Sequence, residues 1–109
     1  MASPKVVLVT GANNGIGYET VKALLQSDMA YHVLLGSRSL EKAKLAIETL
    51  RKECPESTNT VEAVQVDLTS DESIEKAFEQ VKASPGHIDA LINNAGMHTS
   101  LFPMIFYAN

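Results

Sequence analysis

The stretch that most constrains this chain is Lys5 to Gly17, KVVLVTGANNGIG. A β-branched apolar run ends at Gly11, two more glycines follow, and Val21, Leu24 and Leu25 then fall on one helical face. Such a run reads as a buried parallel strand, because helices cover both of its faces. The glycines therefore sit in a tight strand-to-helix connection, with the first helix running from Asn14 to near Asp28.

The same alternation continues along the chain. Tyr31 to Gly36 is a second strand, and Ser39 can cap a second helix with Ala43, Ala46, Ile47 and Leu50 on its apolar face and Pro55 just past its end. After the polar loop PESTNT, Val61 to Val66 is a third strand, more polar and hence nearer a sheet edge. Thr69 and Glu72 fit a Ser/Thr-x-x-Glu capping box, and Ile74, Ala77, Phe78 and Val81 form the stripe of a third helix that Pro85 and Gly86 stop. Ile88 to Ile92 is a fourth strand, running into Asn93-Asn94-Ala95-Gly96. Strands alternating with helices predict an α/β, doubly wound parallel sheet of Rossmann type in the order 3-2-1-4. Residues 1–96 form its dinucleotide-binding half, and 97–109 are an atypical tail in which Pro103 interrupts an apolar stretch. On this reading the sheet is incomplete, the fourth strand is an unpaired edge, and the product is marginally stable and prone to associate.

Totals exclude several classes of function. The length of 109 residues suits one domain, and 45% hydrophobic with 20% charged residues is the profile of a folded chain. A net charge of −4 provides no footprint for nucleic acid or anionic lipid. No apolar run is long enough to span a bilayer, and Leu101 to Ala108 falls far short. The one cysteine, Cys54, has no partner for an internal disulfide and no ligands at zinc spacing, which points to a reducing, cytoplasmic setting and no metal. His32, His87 and His98 have no matching ligand at i+4 and no nearby acid to orient a base, so no chemistry is assigned to them.

Each glycine of the loop has a physical reason. Gly11 allows the sharp turn off the strand, Gly15 lets the backbone approach a pyrophosphate, and Gly17 lets the helix pack close to the strand. Free N–H groups at the helix start, with Asn13, Asn14, Gly15 and Ile16 around them, then meet an anion. The spacing Gly-x-x-x-Gly-x-Gly differs from the common Gly-x-Gly-x-x-Gly fingerprint. At the end of the second strand an acidic residue would bind an NAD ribose and an arginine the 2′-phosphate of NADP. Here Ser37 and Arg38 stand in that place, which favours NADP, although Arg38 also reads as a solvated arginine at a helix start and Ser37 and Ser39 as plain caps.

Thr10-Gly11-Ala12-Asn13-Asn14-Gly15-Ile16-Gly17, together with Asn93-Asn94-Ala95-Gly96 after the fourth strand, resembles the short-chain dehydrogenase/reductase family over residues 5 to 96. The resemblance implies that Asp67 accepts a hydrogen bond from the adenine amino group while the Leu68 N–H meets the ring, with a helix-capping role for Asp67 as the alternative. It also implies that Asn93, Asn94, Ala95 and Gly96 line the adenosine side of the crevice and tie the fourth strand to the glycine loop, where a purely structural role is equally open.

Family members transfer a hydride between the nicotinamide and a carbonyl or alcohol carbon with a serine, a tyrosine and a lysine that follow the Asn-Asn-Ala-Gly block. Tyr18 and Lys22 match the Tyr-x-x-x-Lys spacing but lie on the helix that carries the pyrophosphate. They are not read as the catalytic pair, and no catalytic residue is assigned within the chain. Three readings compete: the NADP(H)-binding part of a short-chain oxidoreductase, a non-catalytic NADP(H)-binding module with possible homo-oligomerisation, and a truncated product without function.

Overall fold

A computed structural model describes residues 3–94 and 104–107. Its elements are β1 (Lys5–Val9), α1 (Gly15–Leu25), β2 (Tyr31–Ser37), α2 (Leu40–Glu53), β3 (Thr60–Gln65), α3 (Asp71–Ala83), β4 (Ala90–Asn93) and β5 (Met104–Tyr107). One sheet has the order β3-β2-β1-β4-β5. The first four strands are parallel, with Val7 opposite both Val33 and Ala90, and they reproduce the expected 3-2-1-4 arrangement.

Side-chain alternation along each strand divides the core into two layers. Val7, Val9, Val33 and Leu35 face α1 and α2, where Val21, Leu25, Ala43, Ile47 and Leu50 meet them. Val6, Leu8, Leu34 and Val64 face α3, which contributes Ala77 and Val81. Leu50 is fully buried, and truncating such a side chain to alanine costs about 2–5 kcal/mol.

The edge at β4 departs from expectation. Far from being unpaired, β4 is joined antiparallel by β5, with Ala90 opposite Tyr107 and Asn93 opposite Met104. The tail segment Met-Ile-Phe-Tyr is rich in β-formers, and pairing it satisfies a row of backbone groups that β4 would otherwise leave open. An antiparallel edge strand on a parallel sheet is a common mixed arrangement. The β4 ladder also starts later than the sequence suggests, at Ala90. Just before it, Asp89 N–H donates to Val6 O at 2.8 Å and Asp89 Oδ2 accepts from Val6 N–H at 2.7 Å, so a side chain adds its bond to the backbone one.

Two further corrections concern α3. Its N-cap is Ser70, whose hydroxyl accepts from Ser73 N–H at 3.2 Å, and Thr69 binds Asp67. Phe78, read as part of the core stripe, is 59% exposed. It borders an apolar groove with Leu8, Leu68, Ile74, Ile88 and Leu91 that α3 alone does not cover. The cap expected for α2 is present, since Ser39 Oγ accepts from Lys42 N–H.

Candidate functional site

The glycine loop follows β1 and is anchored from behind. Thr10 is buried, its hydroxyl donates to Asn93 Oδ1 at 2.9 Å and accepts from Asn94 N–H at 3.0 Å, and Asn94 Nδ2 reaches Gly11 O at 3.4 Å. Asn93 and Asn94 thus tie β4 to the loop. Gly11 has φ +60, a left-handed turn that suits glycine. A Cβ on Gly17 would lie 2.4 Å from Gly11 O and 2.8 Å from Asn94 Nδ2, so helix and loop meet backbone to backbone.

Gly15 is different. Its φ is +61 and a Cβ there would meet nothing within 4 Å, so the loop opens onto free space at this point. Asn14, the N-cap of α1, makes no side-chain cap bond, and the first turn of α1 carries no acid, whereas α2 begins with Glu41 and α3 with Asp71 and Glu72. The positive end of the α1 dipole is left unneutralised at the one position where a Cβ would fill the approach.

From this loop a cleft of about 680 Å³ crosses the C-terminal ends of β1, β2 and β3, the place where open α/β sheets bind ligands. It brings together Gly11, Asn13, Asn14, Ser37, Arg38 and Asp67 of the residues singled out from sequence, and Leu68 as well. The Arg38 backbone is held by Gln65 Nε2 donating to its carbonyl at 3.2 Å, while the residue itself is exposed. Asp67 Oδ1 accepts from the Thr69 hydroxyl at 2.7 Å and from Thr69 N–H at 3.0 Å. Those two bonds first, and then the nearby Arg38 guanidinium, hold the Asp67 carboxyl below the usual carboxylate range. Asp67 therefore makes a local turn and does not cap α3.

Five residues do not line this cleft, and the first is Gly15, which opens onto two neighbouring hollows, one with Tyr18, Lys42 and Leu45 and the other with Ile16, Glu19 and Thr20. Gly17 is buried beneath the loop, Ile16 is 50% exposed on the side of α1 that carries Glu19 and Thr20, and Asn93 borders the groove beside α3. Asn94 stands behind the loop, bonded to Gly11 and Thr10. Ala95 and Gly96 lie outside the described residues, as does His98. One residue was missed: Lys42 lines the cleft beside Arg38 and Ser39. Its signal was readable, for position i+4 from Arg38 in the first turn of α2 brings a second cation to the same end.

Tyr18 and Lys22 have another occupation. The Tyr18 hydroxyl donates to Glu53 Oε1 and Lys22 Nζ lies 3.7 Å from Glu53 Oε2, so both fasten α1 to the end of α2. Desolvation, then the bond to the Glu53 carboxylate and its charge, push the Tyr18 phenol well above its ordinary value. A tyrosine that must exchange a proton near neutrality needs the opposite shift.

His32 and His87 do have acids beside them, contrary to expectation. His32 Nε2 is 2.9 Å from Glu62 Oε1 and its Nδ1 is 2.6 Å from Thr60 Oγ1, while His87 Nε2 is 3.1 Å from Asp89 Oδ2. The Glu62 partner comes across the sheet and is 30 positions away in the chain. Both histidines lie toward the N-terminal ends of the strands, opposite the cleft. Among the described residues there is no cluster of three His, Cys, Asp or Glu able to hold a metal, and no helix long and apolar enough to cross a membrane.

A doubly wound parallel sheet with an open glycine loop and a cationic cleft at its C-terminal edge defines a nucleotide-binding α/β protein of the Rossmann type. The comparisons narrow this. Residues 5–106 match the family model described as short chain dehydrogenase, and the chain belongs to that family, whose members are oxidoreductases that use nicotinamide cofactors. It is 43% identical over 97 residues to the short-chain dehydrogenase/reductase tropE of Talaromyces stipitatus, covering 89% of this chain and 36% of that protein. Among solved structures it is similar to menthone neomenthol reductase from Mentha piperita, with a TM-score of 0.79 and 35% identity over 88% of this chain and 33% of the other. L-sorbose reductase from Gluconobacter frateurii, a structure in complex with NADPH and L-sorbose, gives a TM-score of 0.73 and 30% identity over 86% of this chain and 34% of the other. The chain spans about a third of the length of the relatives it matches.

Proposed function

We propose that this chain is the NADP(H)-binding N-terminal part of a short-chain oxidoreductase that reduces a carbonyl compound or oxidises an alcohol, with the binding unit in residues 1–96 and the catalytic serine, tyrosine and lysine outside these 109 residues. The observation that carries the reading is the single cleft that begins at the uncapped glycine loop and ends at Arg38 and Lys42. The open space at Gly15 suits a pyrophosphate lying against the first N–H groups of α1. Arg38 offers a planar fork and Lys42 a compact charge to a 2′-phosphate, and Asp67 and Leu68 border the space an adenine would take. When bound, the nicotinamide supplies or accepts the hydride. This chain's own residues bind and orient: Asn93 and Asn94 keep the loop in register with β4, and Thr10 holds both. One free cysteine, Cys54, fits a reducing, cytoplasmic compartment.

Calorimetric titration of the 109-residue chain with NADPH and NADH tests the reading. Saturable binding with NADPH preferred is expected, and Gly15→Val abolishes both by filling the approach and straining a left-handed backbone. Arg38→Asp is expected to weaken NADPH roughly 10- to 100-fold, the scale of one or two charge-assisted hydrogen bonds, and to leave NADH little changed. Equal loss of the two cofactors would defeat the 2′-phosphate assignment.

A further inference from the structure

Thr69 stands exposed in the turn between β3 and α3, and its hydroxyl donates to Asp67 Oδ1 at 2.7 Å. It lines the same cleft as Arg38 and Lys42. Asp71 and Glu72 follow it at two and three positions, in the first turn of α3. A threonine on a surface turn with acids just after it suits a protein kinase whose substrate groove is basic, since Arg and Lys clusters recognise acidic segments. Ser70 shares the segment but not the setting. Its Oγ is the cap that accepts from Ser73 N–H, and it does not line the cleft.

A phosphoryl group on Thr69 changes the charge of the cleft from within. The proton that binds Asp67 is lost on esterification, and a group of about −1.5 to −2 charge at pH 7 takes its place. Asp67 then repels what it held. The Arg38 guanidinium, near enough to Asp67 to help hold its carboxyl down, is the cation within reach, and its planar fork matches phosphate oxygens. A phosphate tethered here competes with a diffusing one at an effective concentration of roughly millimolar order.

We propose that Thr69 is a phosphorylation site for an acidophilic protein kinase, and that its phosphate takes the Arg38 and Lys42 end of the cleft and shuts out a phosphorylated dinucleotide. This rests on the reading of the cleft as an NADP(H) site. In the transfer, Thr69 Oγ1 attacks the γ-phosphorus of ATP and the bond from that phosphorus to the bridging oxygen breaks. ADP leaves with the electron pair, and the hydroxyl proton passes to the kinase's base.

The test uses the 109-residue chain, ATP and a purified serine/threonine kinase that requires an acid three positions after its acceptor. One phosphate on Thr69 is expected by intact mass and peptide fragmentation, with uptake lost in Thr69→Val and slowed in Glu72→Gln. The phosphorylated chain is expected to bind NADPH about tenfold or more weakly, the scale of one or two charge-assisted hydrogen bonds, and phosphatase treatment is expected to restore the affinity. Kinase treatment is expected to leave the affinity of Thr69→Val where it was. Without any dinucleotide, the phosphorus NMR resonance of the phosphothreonine is expected to titrate at higher pH in Arg38→Ala than in the wild type, because the guanidinium favours the dianion. Phosphate on Ser70 alone or on neither residue, an unchanged affinity for NADPH, or a phosphorus titration indifferent to Arg38 would each overturn the proposal. If the unmodified and phosphorylated chains bind NADPH equally, the cofactor reading stands and the role of Thr69 falls. If the unmodified chain binds no dinucleotide, both fall together.

Discussion

Gly17 shows how one residue can be read correctly for a reason that sequence gives only in outline. In a helix, alanine is favoured over glycine by about 1 kcal/mol. Here the Cβ of an alanine would lie 2.4 Å from Gly11 O and 2.9 Å from Ala12 Cα, both backbone atoms that cannot swing aside. Sterics win over propensity, and Gly17→Ala is expected to destabilise the chain by about 1–3 kcal/mol. Urea denaturation measures it; an unchanged or higher midpoint would mean that the loop can part from the helix at little cost. The glycines, Arg38 and Asp67 were legible because each one's place follows from a strand ending next to it. Glu53 and Asn59 were not. Tyr18 and Lys22 imitate a catalytic spacing, and only the fold reveals that a carboxylate 35 positions from Tyr18 engages both.

Among elements, the least legible was the loop PESTNT, read only as polar. Asn59 donates to the carbonyls of Leu24 and Met29, each at 2.9 Å, and accepts from Tyr31 N–H at 3.0 Å. One side chain thereby closes the end of α1 and aligns the start of β2, work that composition cannot show because every partner is distant in sequence. A similar role falls to Asp89 at the start of β4. Its carboxyl is held below the usual range, first by the bond from Val6 N–H and also by the neighbouring His87 and Lys5 charges. A folded-state value below the unfolded one adds stability that is present above about pH 4 and is lost as pH falls through the lower folded value. Asp89→Asn, which keeps the shape but not the charge, is expected to melt below the wild type at pH 7. The gap should close on acidification, and thermal melts at pH 7 and in acid check this. A gap that is the same in acid would assign the effect to shape.

At the scale of the whole molecule, the strand order was legible because short apolar runs alternate with amphipathic stripes and right-handed crossovers leave few ways to connect them. The fifth strand was not, because the rule that orders parallel strands says nothing about a tail that returns antiparallel. With β5 in place, β4 has a partner on each side. Ile105, opposite Ile92, is a position where proline removes a donor and resists strand geometry. Ile105→Pro is expected to lower the melting temperature and to produce concentration-dependent association through the bared edge, visible by sedimentation velocity. A variant as stable and as dispersed as the wild type would mean that β5 contributes little to the sheet.

The hydroxyl of Thr10 serves Asn93 and Asn94 at once, and Asn94 in turn holds Gly11. The loop that faces a ligand and the strand that ends the parallel run are thus fastened at one point, like a latch shared by two doors. Any molecule that steadies the glycine loop therefore resists the opening of β4 as well. Occupancy of the cleft should be readable as slower amide exchange at Ala90 to Asn93, in a strand that does not line it.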